Sequence, residues 1–206
     1  MRQDALVGLP RKKVTATTDS SKTQHITPNL LDRDFEAKQP NQVWVADITY
    51  VATQQGWLYV AVILDLYARK VVAWEAAEHL RTDLPLAALR RAIRLRRPAP
   101  GLIHHSDRGC QYGSSEHRKE VLAHGIWPSM SRPRDCWDNA VAESFFGTMK
   151  TEALDRQTWQ TPTAARQAVA AYIDGFYNSH RRHSAFDLKS PSLHESNFDR
   201  SDFPAS

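Results

Sequence analysis

The chain has 206 residues, 41% of them hydrophobic and 24% charged, which suits one globular α/β domain with tails rather than a disordered chain. A net charge of +4 and a pI near 9.2 suit an anionic partner, and no apolar run approaches the ~18 residues that span a bilayer. Cys110 and Cys136 are the only cysteines, so no disulfide framework is expected. Met1 to Lys13 lacks the long apolar stretch of a signal peptide, and a soluble cytoplasmic protein is expected.

Residues 1–40 are polar and patternless and read as a tail or linker, ahead of an organised core over 41–196 and a short tail over 197–206. Val43 to Val51 is rich in β-formers and apolar on both faces, as a central strand would be. Trp57 to Leu66 and Lys70 to Trp74 follow so closely that the three strands should form an antiparallel meander. Leu86, Leu89 and Ile93 then recur at helical spacing until Pro98 stops them. Gly101 to His105 reads as a fourth strand. A helix capped by Ser114 or Ser115 runs to about His124, and Ile126 to Met130 is a fifth strand. Asn139 to Leu154 reads as one helix with a core stripe of Ala142, Phe145, Phe146, Met149 and Ala153, and a last helix covers about Thr163 to Asn178. A meander followed by α/β crossovers predicts a mixed five-stranded sheet with helices on both faces.

Three acids stand out. Asp47 shares a strand face with Val43, Val45, Thr49 and Val51, where a carboxylate is costly unless something positive meets it. Asp107 lies just past the fourth strand, where ligand sites of α/β sheets collect, although a turn Asp before Gly109 reads equally well. Glu143 lies early in its helix. Asn139, Glu143, Gly147 and Lys150 fall on one face of that helix, away from the Phe145/Phe146 stripe. Gly147 costs about 1 kcal/mol against alanine there, and one use for it is to clear room for a ligand. Three carboxylates near one sheet edge form an all-oxygen site that suits magnesium or manganese, two ions in the active complex, for phosphoryl transfer. No paired Cys or His spacing supports zinc at Cys110, Cys136 or His104. Asp65 and Asp138 remain open as further acids of the site; Asp138 also reads as a helix cap. Asn139 and Lys150 are expected to meet a phosphate-bearing partner beside the carboxylates, and Arg181, Arg182 and His183 to grip its phosphates further out. Arg90, Arg91, Arg94, Arg96 and Arg97 read as a solvated helix face.

Several segments together resemble the integrase core of DDE transposases, the superfamily that includes retroviral integrases, and most of all the second-frame transposase of the IS-three insertion-sequence family. They are Trp44-Val-Ala-Asp-Ile-Thr-Tyr50, His104-His-Ser-Asp-Arg-Gly-Cys-Gln-Tyr112, Ser129-Met-Ser-Arg132 with Asp138-Asn-Ala-Val-Ala-Glu-Ser-Phe-Phe146, and Tyr177-Asn-Ser-His-Arg-Arg-His-Ser184 with Ser190-Pro191. Thirty-five residues separate Asp107 from Glu143, and Lys150 follows Glu143 by seven, as in that family. The resemblance covers about residues 25–196. It implies a ribonuclease-H-like fold and a triad of Asp47, Asp107 and Glu143 to which Asp65 and Asp138 do not belong. It further implies an enzyme that cuts one strand at an element end and joins the freed 3′-hydroxyl to DNA, working as a homo-oligomer on DNA in a bacterial nucleoid. Relatives carry an upstream helix-turn-helix region, which implies a fused or separate partner and a chain that is a piece or a shortened copy. A silent DNA-binding remnant and a ribonuclease-H-like nuclease are the alternatives. Three departures stand out: Ala46 for a usual Thr, Pro133-Arg134-Asp135 where a Gly is usual at the middle position, and Phe186-Asp-Leu188 for Leu-Gly-Tyr.

Overall fold

The computed structural model describes residues 26–133 and 136–198, and the strand Val43–Thr53 (β1) runs through its centre. One edge of β1 pairs antiparallel with Gly56–Asp65 (β2), which pairs antiparallel with Lys70–Ala77 (β3). The other edge pairs parallel with Ile103–Ser106 (β4), and β4 pairs parallel with Trp127–Met130 (β5). The order β3-β2-β1-β4-β5 is the mixed five-stranded sheet expected from a meander followed by crossovers.

Alternation along β1 divides the core in two. Val43, Val45 and Val51 pack under Ala140–Met149 (α3) and Pro162–Ala170 (α4), against Phe145, Met149 and Val169. Trp44 and Ala46 pack on the opposite face, with Leu84, Ala88 and Leu89 of Asp83–Arg96 (α1) and Val121 of Ser115–Ala123 (α2). The Ser114 hydroxyl caps α2 by accepting from the His117 N–H, and Thr161 caps α4 by accepting from Ala164. No helix among the described residues is long and apolar enough to cross a membrane.

The structure corrects five expectations. β3 continues three residues past Trp74. The single helix expected from Asn139 is a 3-10 turn over Cys136–Asn139, then α3, then a π-helical turn over Lys150–Leu154. Thr148 and Thr151 donate their hydroxyls to the carbonyls of Ser144 and Gly147, a local competition that loosens the helical ladder just before it widens. The last long helix likewise passes from α4 into a π-helical stretch over Ala171–Tyr177, and a short helix not expected from the pattern, Pro191–Ser196 (α5), follows with Ser190 as its cap. The domain also begins before residue 41. Leu31 is buried in the core, the Leu30 N–H donates to Ser129 Oγ, and Asn29 donates to Asp138. The few apolar residues of this segment, Ile26, Leu30, Leu31 and Phe35, are scattered among polar ones without a sustained period, so it reads as a tail although it packs as part of the fold. The stretch 1–25, Arg134, Asp135 and the C-terminal residues from 199 lie outside the described residues.

Candidate active site

Parallel register brings the first two acids together. Ala46 stands opposite Ser106, so Asp47, inside β1, and Asp107, just past the end of β4, each come one residue after a directly paired position on adjacent strands. Asp47 lies on the face that α3 covers. The start of α3 is pinned to that place, because the Asn139 amide donates to the Ala46 carbonyl at 3.3 Å, and Glu143 comes one turn later. The Ile48 N–H donates to Asp47 Oδ1 at 2.7 Å and the Gly109 N–H to Asp107 Oδ1 at 2.9 Å. Even so, burial holds the Asp47 carboxyl well above the usual range, and the charges of Asp107 and Glu143 push it further, against the Ile48 N–H and Lys150. Burial also raises Asp107, against the Gly109 N–H, and raises Glu143, with the Asp107 charge adding to it. These three acids therefore feel one another and lack enough positive charge. The donor set is all oxygen, as a hard divalent cation prefers. Among the described residues no three His, Cys, Asp or Glu side chains stand close enough to enclose an ion as they are.

A model of the integrase core domain family matches residues 37–136, and a second integrase core domain model matches residues 124–191. The chain belongs to the integrase core family. It is 45% identical over 181 residues to an insertion element IS600 protein of Shigella sonnei, covering 88% of this chain and 66% of that protein. It is 36% identical over 184 residues to the transposase InsF of insertion sequence IS3A from Escherichia coli K12, covering 89% of this chain and 64% of InsF. The chain thus spans 64% to 66% of the length of these two relatives. Among solved structures it is similar to the HTLV-2 integrase catalytic core domain in complex with magnesium, at a TM-score of 0.59 and 17% identity over 78% of this chain and 99% of that one. It is also similar to the simian T-cell lymphotropic virus intasome, at 0.64 and 19% over 88% of this chain and 60% of that one. These likenesses establish the ribonuclease-H-like fold.

Within that integrase core the basic and amide residues singled out from the sequence take different places. Lys150 is half-buried with its Nζ 4.9 Å from the centre of the Tyr50 ring; burial lowers its pKa while Asp155 and Asp47 raise it. Asn139 was expected to touch DNA, but it is only 3% exposed with its amide on the Ala46 carbonyl, so it positions α3 against β1. Arg181 was expected to grip DNA as well, but its Nε and Nη2 are both spent on Glu152, at 3.1 and 2.9 Å. Arg182 is exposed and His183 is half-buried beside it. The arginine-rich helix is less solvated than its pattern suggests. Arg90 pairs with Glu120, Arg91 with Glu75, and Arg96 with Asp65 and Glu195, while Arg94 and Arg97 remain exposed.

Both open acids are tied up structurally. Asp65 accepts the N–H groups of Asn41 and Tyr67 and faces Arg96, closing the entrance to β1 against the β2–β3 turn and the end of α1. Burial pushes its pKa to about 6. Asp138 is fully buried and accepts from Arg132, Arg33 and Asn29. His104 packs in a cluster with the rings of Tyr112 and His117, and Cys110 is exposed. Asp187, where the family usually has Gly, adopts φ 50°, and Leu188 adopts φ 60°. The left-handed conformation explains a usual Gly there, and Asp is among the side chains that tolerate it. Tyr50, Tyr112 and Arg69 were missed. Tyr112 is buried near Asp47 and Asp107, whose charges add to the effect of burial on its hydroxyl. Alternation puts Tyr50 on the strand face opposite Asp47, so no pattern pairs it with Lys150. Arg69 sits in a turn and gave no signal beyond its charge.

Proposed function

We propose that this chain is the catalytic core of a DDE transposase, which cuts DNA at the ends of an insertion element and joins the freed 3′-hydroxyl to target DNA. The observation that carries this reading is that Asp47 in β1, Asp107 just past the neighbouring β4 and Glu143 on the helix over β1 all have pKa values raised by burial, with those of Asp47 and Glu143 raised further by their acidic neighbours. The transposases among its relatives and the magnesium in a structural neighbour support it. Asp47, Asp107 and Glu143 would hold magnesium or manganese, as one ion or a pair, which supplies charge to activate the attacking oxygen and to stabilise the leaving one. The chain's own residues do the rest. Asn139 fixes the distance between α3 and β1, and hence Glu143 against Asp47. The Ile48 and Gly109 N–H groups orient one oxygen of each Asp. Lys150, two turns along from Glu143 and about 10 Å down the helix axis, offers its ammonium to a phosphate oxygen beside the site. DNA ends and target DNA are the substrates. Assembly into a homo-oligomer on DNA and an upstream helix-turn-helix module, fused or separate, complete the reading, in the cytoplasm of a bacterium.

The test is strand transfer with a pre-cut DNA end and manganese or magnesium. Asp107→Asn keeps the shape and removes the charge, so joining should disappear while the melting temperature and DNA affinity stay near those of the parent. Hydrolysis without joining would mark a nuclease. Binding without either reaction in the parent chain would mark a silent remnant.

A further inference from the structure

A cavity of about 350 Å³ opens on the flank of α3, and among the described residues no Asp or Glu lines it. Its walls come from three parts of the chain: Arg69 from the β2–β3 turn, Ser144 and Thr148 from α3, and Arg181, Arg182 and His183 from the segment after the π-helical stretch. Arg181 is neutralised by Glu152. Among the described residues Arg69 and Arg182 have no carboxylate partner, unlike Arg90, Arg91 and Arg96. The pocket is built. The Tyr177 hydroxyl donates to the Arg69 carbonyl at 3.0 Å, which fixes the turn, and the Arg69 guanidinium lies 5.9 Å from the Phe186 ring centre. The His183 ring stands edge-on to Tyr177, and its buried Nε2 has no hydrogen-bond partner among the described residues. Two unpaired guanidinium groups, a ring nitrogen in need of a partner and two hydroxyl-bearing residues describe an anion site, in the size range of small-ligand pockets.

Its location indicates which anion. Ser144 and Thr148 follow Glu143 and Gly147 by one residue, so the cavity lies about 100° round the same helix from the carboxylate side. A strand whose reacting phosphate meets Glu143 passes within about one helix diameter, 10–12 Å, of the cavity. We propose that this pocket grips a DNA backbone phosphate that does not react, a few nucleotides from the one that does, through Arg69, Arg182 and His183. The proposal rests on the transposase reading for its choice of DNA. It gives Arg182 and His183 a site, replaces Arg181 with Arg69 as the second cation, and makes the flank of α3 a positioning surface.

The 206-residue chain is titrated with a fluorescent pre-cut duplex by anisotropy, between about 50 and 200 mM salt. Arg69→Gln and Arg182→Gln each weaken the grip on that one phosphate, so each should lower the salt slope by up to about one and weaken binding several-fold at low salt. Arg94→Ala, exposed on the far helix, should change neither. Slopes for both pocket variants equal to the parent's, or equal losses from Arg94→Ala, would overturn the proposal. Arg182 is exposed, so its variant decides the matter if Arg69→Gln melts early. Arginine side-chain NMR signals supply the second arm. Arg69 and Arg182 should shift with duplex at micromolar concentration and with inorganic phosphate only at far higher concentration; equal sensitivity would make this a free-anion site and overturn the DNA assignment. Strand transfer by the parent chain is scored separately. Its failure with reduced slopes counts against the transposase reading alone, and its success with unchanged slopes counts against the pocket alone.

Discussion

Gly109 follows Asp107 by two residues, and a methyl group there would lie 2.9 Å from Asp107 Oδ1 and 3.2 Å from Gln111 Oε1. Its N–H also holds that same Asp107 oxygen. The glycine therefore lets backbone approach a carboxylate that must keep its direction. Gly109→Ala should swing Asp107 away and lower strand transfer on the order of tenfold to a hundredfold. DNA affinity and melting temperature should hardly change; full activity in this variant would show that the carboxylate has slack. Charge at the residue scale supports a second comparison. Lys150 sits near Asp47, whereas Arg94 is exposed on α1 and nothing aims it at the carboxylates. Lys150→Ala should lower strand transfer more than Arg94→Ala at equal amounts of folded protein. The reverse ranking would move the DNA path to α1. Sequence pattern placed Asp47, Asp107 and Glu143 on a strand, a strand end and a helix. It could not show that Asn139 faces inward, because a helix face defined by spacing does not say where the burial boundary falls.

At the scale of elements, strands were easier to read than helices. β1 shows its central position in a run apolar on both sides, and the register Ala46 opposite Ser106 follows from placing it beside β4. The π-helical turns after Met149 and Ala170 left no trace, because apolar spacing barely changes when one turn gains a residue. Gly147 links α3 to function. A methyl group there would meet no atom of the described residues within 4 Å, and Gly147 is exposed on the face that carries Glu143. Packing in this chain does not require the glycine. Gly147→Ala should therefore stabilise α3 by up to about 1 kcal/mol, a rise of about 2–4 °C in Tm for a domain of this size. Strand transfer should fall at the same time if DNA lies against this face. A higher Tm with undiminished transfer would remove Gly147 from the DNA path; a lower Tm would mean that α3 needs the glycine for its own geometry.

Over the whole molecule, one buried acid joins parts that lie far apart in sequence. Asp138 accepts from Arg132 through its backbone N–H at 2.8 Å, Nε at 2.9 Å and Nη2 at 2.7 Å, from Arg33 Nε at 3.3 Å and from Asn29 at 2.9 Å. The segment before β1, the loop after β5 and the 3-10 turn that launches α3 therefore meet on one carboxylate. Sequence alone offered Asp138 as a cap or a third acid, because the arginines that claim it lie six and 105 residues away. Those hydrogen bonds, Arg132 first, hold its pKa well below the ordinary 3.8, against the effect of burial. A carboxylate with a depressed pKa contributes stability in full above its unfolded value, and the contribution fades as pH falls through the folded value. Asp138→Asn keeps the shape and loses the charge-assisted bonds, so at pH 7 it should cost about 2 kcal/mol. Urea denaturation of both proteins at pH 7, 5 and 3 measures the difference. The gap should be the same at pH 7 and 5 and should narrow at pH 3, where the parent's unfolded chain takes up the proton that its folded form still refuses. A gap that stays constant to pH 3 would mean that Asp138 contributes through shape alone, and that charge does not fasten the N-terminal segment to the helix carrying Glu143.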